Sequence, residues 1–307
     1  MEAALIYSLK REKDPSFGKE LSFLVSSARV AGVSLTTLSF ADAEKFIYAY
    51  FKEYKFIYFY DEDSYLLNLA MCLGVPCFSS PRCYAYHHDL ALFYRRMQDY
   101  GIAHPRYCAF PNLKQEKPSG FFTYLSNQIN EARISYPIVL RKKDDEGYAP
   151  FVCFSPVEFN EALKKTKDSS YVVEEYIQGA IVFALVIGKK CFGVLEEKKG
   201  KLTLASSDSH FLRAQAVKIA QLDKDEACLV AFKIDNGNPL AYGSYSARNF
   251  RLYGATFGST PGEALFERLI KARKSFNPYF YCGSVETKNN RRAARSKALK
   301  SPHDNRY

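Results

Sequence analysis

The stretch YVVEEYIQG, residues 171–179, decides how this chain is read. Apolar residues lead into two glutamates, an aromatic–aliphatic pair follows, and a glycine closes the run. The β-branched and aromatic residues predict a strand that ends in a turn. Two readings stand open. The acids are either strand-end carboxylates in water, or part of a strand whose main chain reads the edge of a flat ligand. The neighbouring segments have to separate them.

On the C-terminal side, VFALVIGKKCFGVLEE (residues 182–197) predicts a Gly-turned hairpin. LVAFKIDNGNPLAYGSYS (residues 229–246) predicts a second hairpin, over DNGN, and TPGEALFERLIKAR (residues 260–273) a last helix. On the N-terminal side, SPVEFNEALKKT (residues 155–166) opens with Ser-Pro and places Glu158 three residues after Ser155, a good helix start. YPIVLRKKDDEGYAPFVCF (residues 136–154) reads as two strands around a charged, Gly-containing loop, and GFFTYLSNQINEA (residues 120–132) as a helix. Before a Lys- and Pro-rich loop at 111–119 come a helix over 89–100, ended by Gly101, and an extended edge strand, IAHPRYCAF (residues 102–110).

The first 78 residues alternate. Strand-like AALIYSL (3–9), VSLTTLSF (33–40), KFIYFY (55–60) and VPCF (75–78) are separated by helical patterns over 18–31, 41–54 and 61–74. Such alternation predicts a small parallel sheet covered by helices, so the class is α/β. No Gly-x-Gly-x-x-Gly follows the first strand, which argues against dinucleotide binding.

At 307 residues the chain is long enough for two or three lobes, and its 47% hydrophobic and 25% charged residues are ordinary for a globular protein. The eight cysteines are scattered with no Cys-x-x-Cys pair, which points to a reduced, intracellular protein, taken to be cytoplasmic. No signal peptide and no window of ~18 apolar residues is seen, so no membrane partner is expected. Half of the +10 net charge lies in residues 286–307, where seven Lys/Arg face Glu286 and Asp304. A tail this polar is expected to be disordered, and could touch RNA or an acidic partner.

Taken in order, four strings resemble the ATP-grasp superfamily, nearest the ribosomal-protein glutamate ligase and D-alanine ligase branch. SPRCYAYHHDLALFYRRMQDYGIAHP (residues 80–105) is similar to the family's lead-in. YPIVLR resembles its strand ending in a phosphate-contacting Lys, SPVEFNEALKK its small-lobe helix, and VVEEYIQG its adenine-binding inter-lobe strand. The resemblance implies five parts. These are a pre-ATP-grasp α/β domain (1–78), a linker helix and strand (79–111), a small lobe (112–178), a large lobe (179–278) and the basic tail (279–307). It also implies ATP as cofactor, with the main chain from Glu174 through Glu175 and Tyr176 to Ile177 holding the adenine. Glu174 would accept from the exocyclic amine.

The chain departs from that pattern where chemistry is done. ATP-dependent ligation places charge on a transferring phosphoryl group, which such sites meet with cations and magnesium held by hard oxygens. The phosphate-contacting Lys falls on Arg141 and the ribose-binding acid on Ile181. The strand acid of the last hairpin falls on Lys233, and the final Glu and Asn fall on Gly243 and Tyr245. Magnesium is therefore doubtful and no metal ligand is assigned. Displaced ligands could come from Asp208, Asp223, Asp225, Asp235 or Asn249. Otherwise Lys233 and Arg141 make a basic cleft for a nucleotide or another anionic small molecule, which Arg248 or Arg251 would join unless they are, as they read, surface charge on strand ends; little or no ligase turnover is then expected and no catalytic residue is assigned. An active carboxylate–amine ligase and an RNA-associated protein are the rival readings. His87 and His88 lack a third ligand at metal spacing and read as cap or surface. Residues 243–259 read as either an anion-binding loop or a flexible turn.

Overall fold

The computed structural model describes residues 1–110, 121–142, 150–165 and 170–276. The basic tail, the Lys- and Pro-rich loop and the charged loop of the 136–154 hairpin lie outside these residues.

The first sheet is all parallel. Strands β1 (Glu2–Tyr7), β2 (Ser34–Ser39), β3 (Ile57–Phe59) and β4 (Cys77–Phe78) run in the order β2-β1-β3-β4. Ala3 to Ile6 are wholly buried, as an uninterrupted apolar strand must be when helices cover both faces. Those helices are α1 (Pro15–Val30), α2 (Phe40–Tyr50) and α3 (Ser64–Cys72). Helix α1 starts three residues before the expected position. Asp14 caps it, accepting from the Ser16 amide at 2.8 Å, and Pro15 supplies a fixed first turn. Two helices then follow, α4 (Pro81–His87) and α5 (Leu90–Asp99), capped by Ser80 and Asp89. The seven-residue α4 is too short for periodicity to reveal it.

The second sheet is antiparallel. Strands β5 (Tyr107–Phe110), β6 (Ile138–Lys142), β7 (Phe151–Cys153) and β8 (Tyr171–Glu175) take the order β5-β8-β6-β7. β5 is an edge strand, as expected. Helices α6 (Phe121–Glu131) and α7 (Pro156–Lys165) close its core through residues such as Leu125, Ile129 and Phe159.

The third sheet holds β9 (Ile181–Ile187), β10 (Lys190–Lys198), β11 (Lys201–Leu204), β12 (Ala227–Asp235) and β13 (Asn238–Ser246), in the order β11-β10-β9-β12-β13. Asn236 and Gly237 both take positive φ (47° and 83°), the left-handed pair that a two-residue hairpin turn needs. Helices α8 (His210–Asp223), α9 (Phe250–Phe257) and α10 (Pro261–Ala272) pack around this sheet. Residues 250–257, which had read as a loop or turn, are a helix whose buried Phe250 and Tyr253 anchor it. In β10 a bulge at Gly193 (φ 150°) brings the main chain against Phe257, where a β-carbon would lie 2.2 Å from the ring.

One core spans the chain's two ends. Ala3, Leu5, Phe17 and Leu24 share it with Leu185, Leu195, Phe250, Leu265, Phe266 and Leu269. Polar ties reinforce it. The Tyr58 hydroxyl donates to the Ala247 carbonyl at 3.0 Å, and buried Glu20 accepts from the Phe250 and Arg251 amides at 2.6 and 3.1 Å. The seven described cysteines are free, and no described helix is long and apolar enough to cross a membrane.

Candidate functional site

Strand β8 carries the stretch that opened the reading, and its place in the sheet limits what it can offer. It lies between β5 and β6: Glu174 is registered with Tyr107 on one side and Val139 on the other. Glu175 pairs with Ile138, and its amide donates to the Arg106 carbonyl at 3.0 Å. The main chain of both glutamates is thus committed to the sheet. Main chain available to a flat ligand begins at Tyr176, which is exposed, and continues through Ile177, which is buried.

The two glutamates are not equivalent, because successive side chains leave a strand on opposite faces. Glu175 turns outward, where the Arg106 amide and Nε donate to its carboxylate at 2.8 and 2.6 Å. Glu174 turns inward and is wholly buried. There it meets Arg141 of β6. Arg141 is registered with Val172, so Glu174 is its diagonal neighbour on the same face. Arg141 Nη1 donates to Glu174 Oε1 at 3.2 Å, and the Tyr94 hydroxyl, from α5, donates to the same oxygen at 2.9 Å.

The third sheet completes the cluster. Arg141 donates to the Tyr242 carbonyl at 3.3 Å and to the Tyr245 hydroxyl at 3.4 Å, and its guanidinium lies 4.2 Å from the Tyr242 ring centre. Burial opposes its charge, but the Glu174 carboxylate, together with Tyr94, Tyr245 and Tyr242, outweighs this and holds Arg141 protonated well beyond its ordinary range. Arg141 is 3% exposed, so it belongs to the packed interior between β6, β8 and β13. Its partner could not be read from sequence: Glu174 is 33 residues away.

Lys233 sits at the more open side of this cluster. Its Nζ donates to the Gly179 carbonyl at 2.8 Å and lies 5.6 Å from the same Tyr242 ring. Burial lowers its pKa, Glu174 raises it, and Arg141 lowers it again, leaving it below the ordinary lysine value. Lys233 faces Leu240, and Ala231 faces Gly243. The ammonium is therefore two residues along the strand from the position opposite Gly243.

The residues present do not fit a magnesium ion. Across β12 and β13, Ala231, Lys233, Gly243 and Tyr245 offer a methyl, an ammonium, a hydrogen and a phenol, and none of these is a carboxylate. The displaced acids do not gather there either. Asp235 is at the β12–β13 turn beside Asn236, and Asp208 is paired with Arg213. Asp223 ends α8 and Asp225 follows it, near Arg96 and His87, and Asn249 precedes α9. Among the described residues no group of three or more His, Cys, Asp or Glu is arranged to hold a metal ion.

Beside the cluster, at the carboxyl ends of β1 and β3, is a cavity of about 590 Å³. Lys10, Arg11, Asp61, Glu62, His88 and Arg248 contribute to its walls, and so does Tyr245, which links it to Arg141. Arg11 is spoken for by Asp61, at 2.7 Å. Its floor corrects the expectation for the histidine pair. His87 is fully enclosed, with Nδ1 2.9 Å from Glu62 and Nε2 2.9 Å from Asp225, and His88 Nε2 is 3.0 Å from Glu62. His88 does cap α4, but neither ring is a surface group. Burial works against an imidazolium at His87, yet the two flanking carboxylates prevail and raise its pKa to about 10. No sequence signal marks this cluster, because its acids follow β3 and α8.

No protein-family profile matches the chain, and no curated protein matches it. Solved structures do. The D-alanine–D-alanine ligase of Bacillus anthracis complexed with ATP superposes with a TM-score of 0.71 at 13% identity, over 90% of this chain and 99% of that one. A RimK domain ATP-grasp protein of Sphaerobacter thermophilus gives 0.69 at 14% identity, over 87% and 99%. The ATP-grasp ligase PsnB complexed with minimal precursor, Mg and ADP gives 0.62 at 13%, over 89% and 98%. The three sheets, their order along the chain and these superpositions together identify the chain as having the ATP-grasp fold.

Proposed function

We propose that this protein binds a nucleotide or another phosphate-bearing anion between its small and large lobes, without magnesium and without efficient ligation. The observation that carries this reading is that Lys233, Gly243 and Tyr245 stand on β12 and β13 where the resemblance expects an acid, a Glu and an Asn, in a fold whose solved examples include an ATP complex. Main chain at Tyr176 and Ile177 is the part of the 171–179 stretch that remains to meet a purine edge, and backbone readout asks nothing of the side chains. Lys233 supplies the accessible positive charge for a phosphate. Arg141 contributes from behind, through the field of its charge. When bound, ATP would bring phosphoryl-transfer chemistry, but one lysine does not replace bridging metal ions in that step.

The cavity at the ends of β1 and β3 supports a second ligand. Its volume suits a small molecule, and Lys10, Arg11 and Arg248 line it together with Asp14, Asp61 and Glu62, so it offers charges of both signs.

Calorimetric titration of the full-length protein with ATP, with and without magnesium, tests the reading. Binding that magnesium leaves unchanged is expected. Magnesium-dependent binding, followed by ADP release when amino acids are added, refutes it in favour of an active carboxylate–amine ligase.

A further inference from the structure

We infer that Glu174 is an internal competitor for the anion site: its carboxylate occupies Arg141 and latches the small lobe to the large one, so that an anionic ligand has to displace it. The inference rests on the nucleotide- or anion-binding reading above and adds a regulation of the same site.

Three observations point to a latch. First, the contacts cross three parts of the fold. Arg141 and Glu174 belong to the small sheet, Tyr94 to α5, and the Tyr242 carbonyl and Tyr245 hydroxyl to β13 of the large sheet. Tyr94 also reaches the Tyr242 carbonyl, at 3.4 Å, so one phenol touches both lobes. Second, the pair is deeply enclosed, with side chains 2% and 0% exposed. A ligand cannot reach the guanidinium while Glu174 and the Tyr242 ring cover it. Third, the charges compete. With Glu174 in place, Arg141 and Lys233 leave a local charge of +1, since one carboxylate offsets one of two cations. Moving the carboxylate aside leaves both cations facing the ligand. Lys233 already senses both neighbours, its charge being favoured by Glu174 and opposed by Arg141.

A site that must first break an internal ion pair binds more weakly, by the fraction of molecules in which the pair is open. Neutralising the competitor therefore tightens binding, the opposite of what removing a ligand-holding acid would do. That sign separates this inference from the adenine-contacting role expected of Glu174.

The test is titration of the full chain with ATP and with inorganic tripolyphosphate, both without magnesium. Glu174→Gln keeps the shape and removes the charge. Tyr94→Phe removes one hydroxyl holding the carboxylate and leaves the ion pair intact, so it remains informative if Glu174→Gln fails to fold. Glu226→Gln, in a remote pair with Arg268, controls for net charge. Glu174→Gln is expected to tighten both ligands about tenfold, and Tyr94→Phe to tighten them less. Glu226→Gln should leave them unchanged. If the parent protein binds and the folded variants bind equally or more weakly, the latch is overturned while the binding reading survives. If parent and variants all fail to bind either anion, both fall. A parent that binds poorly beside a Glu174→Gln variant that binds well supports both.

Discussion

The Arg141–Glu174 pair puts two opposite charges where neither meets water, and that sets the outcome of changing either one. Removing a single partner of a buried pair leaves an uncompensated charge, which costs about 3–5 kcal/mol, whereas replacing both with apolar groups is often neutral. Arg141→Met and Glu174→Met are each expected to lower unfolding stability by that amount, and the double variant by much less than the sum. Urea denaturation of the four proteins measures the coupling. Lys233, half-buried and nearer the open side, behaves differently. Lys233→Ala should leave stability within about 0.5 kcal/mol and weaken anion binding in a salt-dependent way. Sequence located Arg141, Glu174 and Lys233 by their strands. It did not reveal that two of them neutralise each other, since side chains 33 residues apart meet only through strand register. Nor did it reveal that a bulge between Ala231 and Phe232 shifts the pairing and sets Lys233 opposite Leu240.

Elements with local signals were legible and those without were not. The DNGN turn announces the β12–β13 hairpin because Asn and Gly tolerate positive φ, and Ser-Pro announces α7 because proline suits a first helical turn. Helix α8 was overlooked. Its sequence mixes Arg213, Gln215, Lys218 and Gln221 among small apolar residues, and its buried stripe has only Leu212 and Ile219 as large apolar members, beside Ala216, Ala220 and Asp223. Helix α9 was hidden by glycines and serines on both flanks, and is held in place by the contacts of Phe250 and Tyr253. The bulge in β10 is likewise a tertiary matter. Gly193 admits the Phe257 ring, so Gly193→Ala forces a clash and a strained φ at once. A loss of about 1–3 kcal/mol is expected, visible as a lower urea midpoint with unchanged slope.

Over the whole molecule, strand–helix alternation gave the parallel sheet, and runs of hairpins gave the two antiparallel ones. The buried charges that tie them together were out of reach of pattern reading. His87 joins Glu62, after β3, to Asp225, after α8, and so ties the parallel sheet to the segment that leads into β12. These groups predict how stability varies with pH. The pKa of His87 is raised to about 10, so its contribution is complete below the free histidine value, ~6.5, and is lost as pH rises toward 10. Burial raises the Asp223 carboxyl to about 7 despite Arg96, so stability also declines as pH rises from ~4 through 7. For Glu62, burial is outweighed by the two histidines and the pKa is lowered. Its contribution is therefore present above ~4.5 and lost in acid. Maximum thermal stability is expected at mildly acidic pH, with a decline across neutrality that His87→Gln flattens between pH ~6.5 and 10. A stability maximum at alkaline pH would contradict this account.

The core that joins Leu5 to Leu269 has a consequence for biosynthesis. A nascent chain carries β1 and α1 out of the ribosome with one apolar face uncovered, and the helix that covers it emerges more than 240 residues later. At ordinary elongation speeds that wait is on the order of tens of seconds, long enough for chaperones to matter. Truncated translation products should accordingly be aggregation-prone even when they contain the entire parallel sheet.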